Sequence, residues 1–508
     1  MIPALPDRQA DVVGDLPATF RDSQVESVCW FDGSWMVSTD AWEDRRLGRL
    51  DGTWRPFEAP AGWARTPMVA GDGTLAVLIH ERNADVGAVH ALRDGHWTQI
   101  AMDVALGSVT DWDGSRLARR DEHGHATALG RDGEPIRVQG DGISMTLGLP
   151  PGVTVTQLVP SPDRELTAVV VRRGAAFQTR VFCLRTGRPL SPAPFREPVH
   201  GAPVWIGAGQ LALVVERWPC LEPVVWNWER DESERPWPPG LPGAVRSMAV
   251  APDGTCAAAV STPWSSRRLH TLDDLAAAAQ DRDREVRTVV AARDGQLLPC
   301  LVYEPSTALR GTVFYFPGGP HEPMWAEHSA FSRAMNDDGW RVVRVNVRSS
   351  GLREQRFRPS GPVRYGIDDV HDALALIDEL GEGPVVTMGM SYGGYLAAMA
   401  GQQSDRCRAV VVLSGFLSRR DLDRSSHPDV RRFAREAFAT VPPEPAGFTK
   451  PVFVAHGAVD PRVPLEAVLA HRSATFTVVE LAGTGHAILS DHDARRTYPK
   501  LLTWLGDR

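Results

Sequence analysis

The residues best placed to do chemistry begin with a serine set among small neighbours, Gly389-Met390-Ser391-Tyr392-Gly393-Gly394-Tyr395. A short apolar run, Pro384-Val385-Val386-Thr387-Met388, precedes it, and Tyr395-Leu396-Ala397-Ala398-Met399-Ala400, rich in helix formers, follows. A serine on such a strand-to-helix turn has its hydroxyl lifted clear of the sheet, the geometry of a nucleophile elbow. Gly389 and Gly393 let strand and helix cross closely, and the first amides of the helix favour negative charge beside the hydroxyl. A hydroxyl is a poor nucleophile until an imidazole accepts its proton, and a carboxylate is needed to fix the imidazole's tautomer.

Both groups follow downstream. Pro451-Val452-Phe453-Val454-Ala455 reads as a buried strand and runs into His456-Gly457-Ala458-Val459-Asp460. Thr477-Val478-Val479-Glu480-Leu481 reads as another and ends in Ala482-Gly483-Thr484-Gly485-His486. Asp460 and His486 therefore fall just past the C-terminal ends of strands, on the edge where Ser391 emerges, and open α/β sheets place their sites there. The chemistry expected is a nucleophile at Ser391, a general base at His486 and an orienting acid at Asp460. Negative charge developing on a carbonyl oxygen needs preorganised N–H donors. The amide of Tyr392, directly after the nucleophile, is one; the loop Pro317-Gly318-Gly319-Pro320, after the strand Thr312 to Phe316, is expected to supply a second.

Other polar residues receive plainer roles. His456 precedes the acid and is expected to be structural, while His471 and His492 are expected on solvated helix surfaces. Asp421, Asp423 and Asp429 are alternatives to Asp460, but their Arg-rich segment lacks a strand ending in His-Gly. His321, Glu322, Glu327 and His328 show no regular ligand spacing, so neither a metal nor a cofactor is expected. Walls of a substrate pocket are expected from the loops between Phe416 and Phe438.

The elements that must position these groups divide the chain. Its 508 residues exceed one ordinary domain. A net charge of −8 makes no case for nucleic acid or an anionic membrane as partner. The first residues carry no basic and apolar leader, and no apolar run approaches the roughly 18 residues that span a bilayer. The six scattered cysteines form no C-x-x-C pair and read as reduced residues of a cytoplasmic protein; homo-oligomerisation is left open.

Before about residue 285, short β-type runs alternate with turns. A turn mark recurs at Phe31-Asp32-Gly33-Ser34, Gly71-Asp72-Gly73-Thr74, Trp112-Asp113-Gly114-Ser115, Ser161-Pro162-Asp163, Ile206-Gly207-Ala208-Gly209 and Ala251-Pro252-Asp253-Gly254. The spacing, roughly 40 to 50 residues, is that of four-stranded propeller blades. An all-β propeller domain of six or seven blades is therefore expected over 1–285. From Val286 the texture becomes strand and helix in alternation. A helix-like stretch to about Asp338, a strand at Arg341 to Val347 and a helix from about Tyr365 to Leu380 predict a doubly wound, mostly parallel sheet over 286–508.

Together these motifs resemble the prolyl oligopeptidase family of serine peptidases, a β-propeller followed by an α/β-hydrolase domain. The matching segments are the run around Ser391, Pro-Gly-Gly-Pro at 317–320, His-Gly-Ala-Val-Asp-Pro-Arg-Val-Pro at 456–464, and Gly-Thr-Gly-His at 483–486. Arg-Asp-Gly-Gln at 293–296 and Asp368-Asp369-Val370-His371-Asp372 also look like the family, and the acylaminoacyl-peptidase-like branch is the nearest. The resemblance implies Ser391, Asp460 and His486 as the triad, Tyr392 and Gly319 as amide donors, and Arg462 as a ligand of a substrate backbone carbonyl, which a guanidinium can bind with two donors.

The chain departs from the branch in having Pro317 where a histidine is usual, and Asn346-Val347-Arg348-Ser349-Ser350 where Asn-Tyr-Arg-Gly-Ser is usual. No pair of glutamates stands out to anchor a free peptide N-terminus. The function expected is hydrolysis of short peptides through an acyl-enzyme, with the propeller restricting access. An esterase, or a peptide-processing or transacylating enzyme of a biosynthetic pathway, is the alternative with the same triad and a small acyl substrate. A binding protein with an inert hydrolase domain is a third, and the intact triad argues against it.

Overall fold

The computed structural model describes residues 24–506 apart from 42–43, 51–53, 71, 81–85, 106–108, 113–116, 120–127, 130–134, 137–152, 174–175, 185, 280–285, 439–446, 487 and 489–490. The chain forms two compact units, one running to residue 281 and the other continuing from residue 282.

Among the described residues the N-terminal unit is mostly antiparallel meanders, with one parallel pair, Cys220–Asn227 beside Ala244–Val250. Gln24–Phe31, Ser34–Ala41, Asp44–Leu50 and Trp54–Pro56 form one four-stranded sheet in chain order, and Trp63–Val69, Leu75–His80, Val86–Arg93 and His96–Ala105 form another. Two-residue Asp-Gly turns join two pairs of these strands. Asp32 and Gly33 lie at φ +47° and +75°, and Asp94 and Gly95 at +50° and +77°. Positive φ at both central residues gives the twist that tight hairpins need, and it is why Asp-Gly recurs. The first sheet shares its core with the last strands of the unit: Val28, Trp35 and Val37 pack with Ala249, Ala257 and Leu269. The turn mark at Asp113 to Ser115 lies outside the described residues.

The C-terminal unit is built on an eight-stranded sheet. Its strands are β1 (Val286–Arg293), β2 (Gln296–Tyr303), β3 (Gly311–Phe316), β4 (Trp340–Val345), β5 (Val385–Met390), β6 (Cys407–Leu413), β7 (Val452–Gly457) and β8 (Phe476–Leu481). Their spatial order is β1-β2-β4-β3-β5-β6-β7-β8. The pairs β1/β2 and β2/β4 are antiparallel, and all later neighbours are parallel. Helices α1 (Ala330–Asp337), α2 (Asp368–Leu380), α3 (Tyr392–Gln403), α4 (Arg419–Asp423), α5 (Pro428–Glu436), α6 (Leu465–Leu469) and α7 (Asp491–Gly506) connect or follow the strands.

Strands β3 and β7, buried along their whole length, are covered on both faces and read as continuous hydrophobic runs. Phe314, Phe316, Val343 and Val345 of the sheet share one buried core with Leu376 and Ile377 of α2 and Leu396 and Ala400 of α3. The helix-like stretch expected up to Asp338 is helical only from Ala330, where Ser329 caps α1 by accepting the Ser332 N–H. Residues 317–329 instead form a loop pinned to β4 and its exit. Asn346 exchanges hydrogen bonds with the backbone of Met324 (2.7 and 3.1 Å), and the buried Arg344 donates to the Glu327 carbonyl at 2.7 Å.

Candidate active site

Ser391 stands between β5 and α3, with φ +52° and ψ −118°. For a residue with a side chain this backbone is strained, and it persists only where the surroundings hold it. Two glycines make it feasible. A Cβ on Gly389 would lie 2.1 Å from the Gly393 carbonyl oxygen, and one on Gly393 would lie 2.3 Å from the carbonyl oxygens of Phe316 and Pro317. Strand, helix and the loop after β3 therefore approach one another more closely than any side chain allows. Ser391 N–H donates to the Leu413 carbonyl at 2.9 Å, tying the turn to β6.

The loops after β7 and β8 bring the other two groups to the serine. His486 Nε2 lies 2.9 Å from Ser391 Oγ, and its Nδ1 lies 2.7 Å from Asp460 Oδ2. A carboxylate only accepts, so Nδ1 carries the proton and Nε2 is left with a lone pair facing the serine hydroxyl. Asp460 is held from several sides. Its Oδ1 accepts the backbone N–H groups of Arg462 (2.8 Å) and Val463 (3.0 Å), and His456 Nε2 stands 3.3 Å from Oδ2. Burial alone would raise the pKa of this carboxyl; the hydrogen bonds and charge of His456 and His486 outweigh it and hold the group well below the usual carboxylate range.

Beside the serine lies a cavity of about 280 Å³, lined by Gly319, Pro320, His427, Arg462 and His486 and by the apolar Phe416, Leu422, Val430, Phe433 and Val463. Gly319 has φ +108°, open to a residue without Cβ. Tyr392, the first residue of α3, has no acceptor for its N–H within the helix.

The structure thus brings Ser391, His486, Gly319 and Arg462 together around one cavity, with Asp460 buried behind His486 and the Tyr392 amide adjoining. It also draws on the expected segment between Phe416 and Phe438. His456 is fully buried; its Nε2 donates to the Val463 carbonyl at 2.8 Å and touches the acid as well. That second contact was not read from sequence, although the i,i+4 spacing to Asp460 was visible. Asp421 does not approach Ser391: it caps α4, accepting from Leu417 N–H and Ser418 N–H at 2.8 and 2.9 Å.

The expectation for His471 is corrected. It is not on a solvated helix face but in the turn after α6, mostly buried, with Nε2 2.9 Å from Asp421 Oδ1. The side chains of Asp429 and His492 lie outside the described residues. His321 meets the Tyr365 hydroxyl at 3.0 Å, and among the described residues no three His, Cys, Asp or Glu side chains cluster as metal ligands would. Nor, among them, is any helix long and apolar enough to cross a membrane.

Strand order, elbow and the Ser-His-Asp contacts define a serine hydrolase. The resemblance to one particular group of them is borne out: residues 328–508 match the model of the "Prolyl oligopeptidase family". A rice (Oryza sativa subsp. japonica) protein, "Acylamino-acid-releasing enzyme 2", is 31% identical over 124 residues, a match covering 22% of this chain and 16% of that relative. The likeness of fold is broader. An acylaminoacyl peptidase from Pyrococcus horikoshii superposes with a TM-score of 0.60 at 13% identity, covering 96% of each chain. A puromycin-hydrolysing peptidase of Mycobacterium tuberculosis gives 0.59 at 16% identity, covering 96% of this chain and 94% of its own.

Proposed function

We propose that this chain is a serine peptidase that hydrolyses short peptides through an acyl-enzyme on Ser391. The observation that carries the reading is the unbroken line of contacts from Asp460 through His486 to Ser391 Oγ. As Oγ attacks the scissile carbonyl carbon, its proton passes to His486 Nε2, and Asp460 stabilises the imidazolium. The oxyanion is received by the amides of Tyr392 and Gly319. His486 then returns the proton to the leaving amine as the C–N bond breaks, leaving an ester on Ser391. Water, deprotonated by the same imidazole, hydrolyses the ester. The apolar wall of the cavity suits one apolar side chain of the substrate next to the scissile bond, and Arg462 is placed to hold a backbone carbonyl.

The catalytic domain is assigned to 286–508 as an α/β-hydrolase domain. Residues 1–285 are assigned as a propeller that screens substrates by size, a reading supported by the meandering sheets and by the core shared between the first and last of them. A cytoplasmic setting is part of the proposal. The test compares turnover of short acylaminoacyl amides with cleavage of a folded protein. Selective turnover of the short substrates is expected, and equal cleavage of both would remove the screen.

A further inference from the structure

We propose that Asp369 is a positioning residue that holds both sides of the oxyanion site in register with the nucleophile, an inference that rests on the reading of Ser391 as nucleophile. Asp369 lies in the first turn of α2 and is fully buried. Its two oxygens reach the two segments that flank the site. Oδ2 accepts the hydroxyl of Tyr392, which in turn accepts the Gly366 N–H at 2.8 Å. Oδ1 accepts the backbone N–H of Ser349 at 3.2 Å. Tyr392 is the residue whose amide adjoins the serine, so its anchored ring fixes the first turn of α3. The carbonyl of Ser349 accepts the N–H of His321 at 3.0 Å, two residues beyond Gly319. One carboxylate is therefore linked to the elbow through a side chain and to the glycine loop through a turn.

The neighbouring aspartates show that this is a separate duty. Asp372, also fully buried, is taken up by Arg348 (2.8 and 2.6 Å) and Arg293 (3.1 Å), and Asp368 by Arg364. Asp369 receives uncharged donors instead. The charged or titratable groups around it are Asp368 and Asp372 on its own helix, Arg348 on the adjoining turn, Tyr365 and Tyr392. Burial pushes its carboxyl up to about 6, eased by the hydrogen bonds from Tyr392 and Ser349 and reinforced by Asp372. Packing alone does not call for a buried carboxylate, because an apolar group of similar size would avoid the desolvation penalty. A strained elbow whose amide must aim at one point does call for rigid anchors.

Asp369→Asn keeps the shape but presents an NH2 to one of two donors, and Tyr392→Phe removes the other end of the same bond. Both variants, checked for a native melting transition, are compared with the full-length protein for kcat and KM on a short acylaminoacyl amide and for the rate of fluorophosphonate labelling. The expected result is a loss of about 10- to 100-fold in kcat, the scale of a misaimed donor, with KM little changed. Labelling should slow in proportion, and the double variant should be no slower than the worse single one. Folded variants with wild-type kcat per labelled site, or a loss confined to KM or to the folded fraction, would overturn the inference and leave the nucleophile assignment standing. A wild-type protein that neither labels nor turns over would sink both.

Discussion

The two units of this chain use the same raw materials, apolar strands and glycines, to different ends. In the N-terminal unit the described strands pair with neighbours in sequence, apart from Cys220–Asn227 beside Ala244–Val250, and glycines such as Gly33 and Gly73 sit at turn tips with φ +75° and +85° and nothing within 4 Å of a would-be Cβ. In the C-terminal unit the order β1-β2-β4-β3-β5 separates β2 from β3 and β4 from β5, and Gly389 and Gly393 are walled in by backbone. A meander solves its turns locally and leaves only short hairpin tips at its edges. A parallel sheet must return over a helix, so strand ends and helix starts gather on one edge, and reactive groups from distant segments can meet there.

The sharpest way to break this contrast is to remove chemistry from that edge. Ser391→Ala should lower kcat on the order of 10⁶-fold, with His486→Ala nearly as severe and the double variant no worse, because such groups act as one unit. Additive losses, measured in single-turnover assays, would mean that they do not. Next in size is Gly393→Ala. Its methyl group would sit 2.3 Å from two carbonyl oxygens, and the loss should exceed about 3 kcal/mol in a urea titration.

The site was legible because its parts lie at strand ends, where short apolar runs give way to loops. Ser391, Asp460 and His486 could be placed without coordinates for that reason. What escaped depended on contacts between distant segments: His471 with Asp421, fifty residues apart, and Asp369 with Tyr392 and Ser349. The outline of the N-terminal unit was legible in its Asp-Gly turns, whereas the shared core of Val28 and Ala249 was not. No local pattern signals a contact between segments so far apart in the chain.

Two buried carboxylates sharpen the comparison through pH. Asp369, with its folded pKa raised to about 6 from an ordinary 3.8, binds its proton more tightly when folded. Its contribution to stability is therefore full below about pH 4 and is lost as pH rises through 6. Asp460 runs the other way: its depressed pKa contributes stability above about pH 4 that is lost as pH falls below it. Asp369→Asn should flatten the stability profile between pH 4 and 6, measured by urea titration at each pH. An unchanged slope there would contradict the shift. The smallest effect is expected in the N-terminal unit, where Gly33→Ala meets no atoms and costs about 1 kcal/mol for its positive φ alone. A loss as large as that at Gly393 would erase the distinction between the two kinds of glycine.

The most direct test of the central claim is peptide mapping of the intact protein after treatment with a fluorophosphonate. The account predicts one adduct, on the peptide carrying Ser391, formed far more slowly in His486→Ala. No adduct, or an adduct on another serine at the same rate in both proteins, would contradict it.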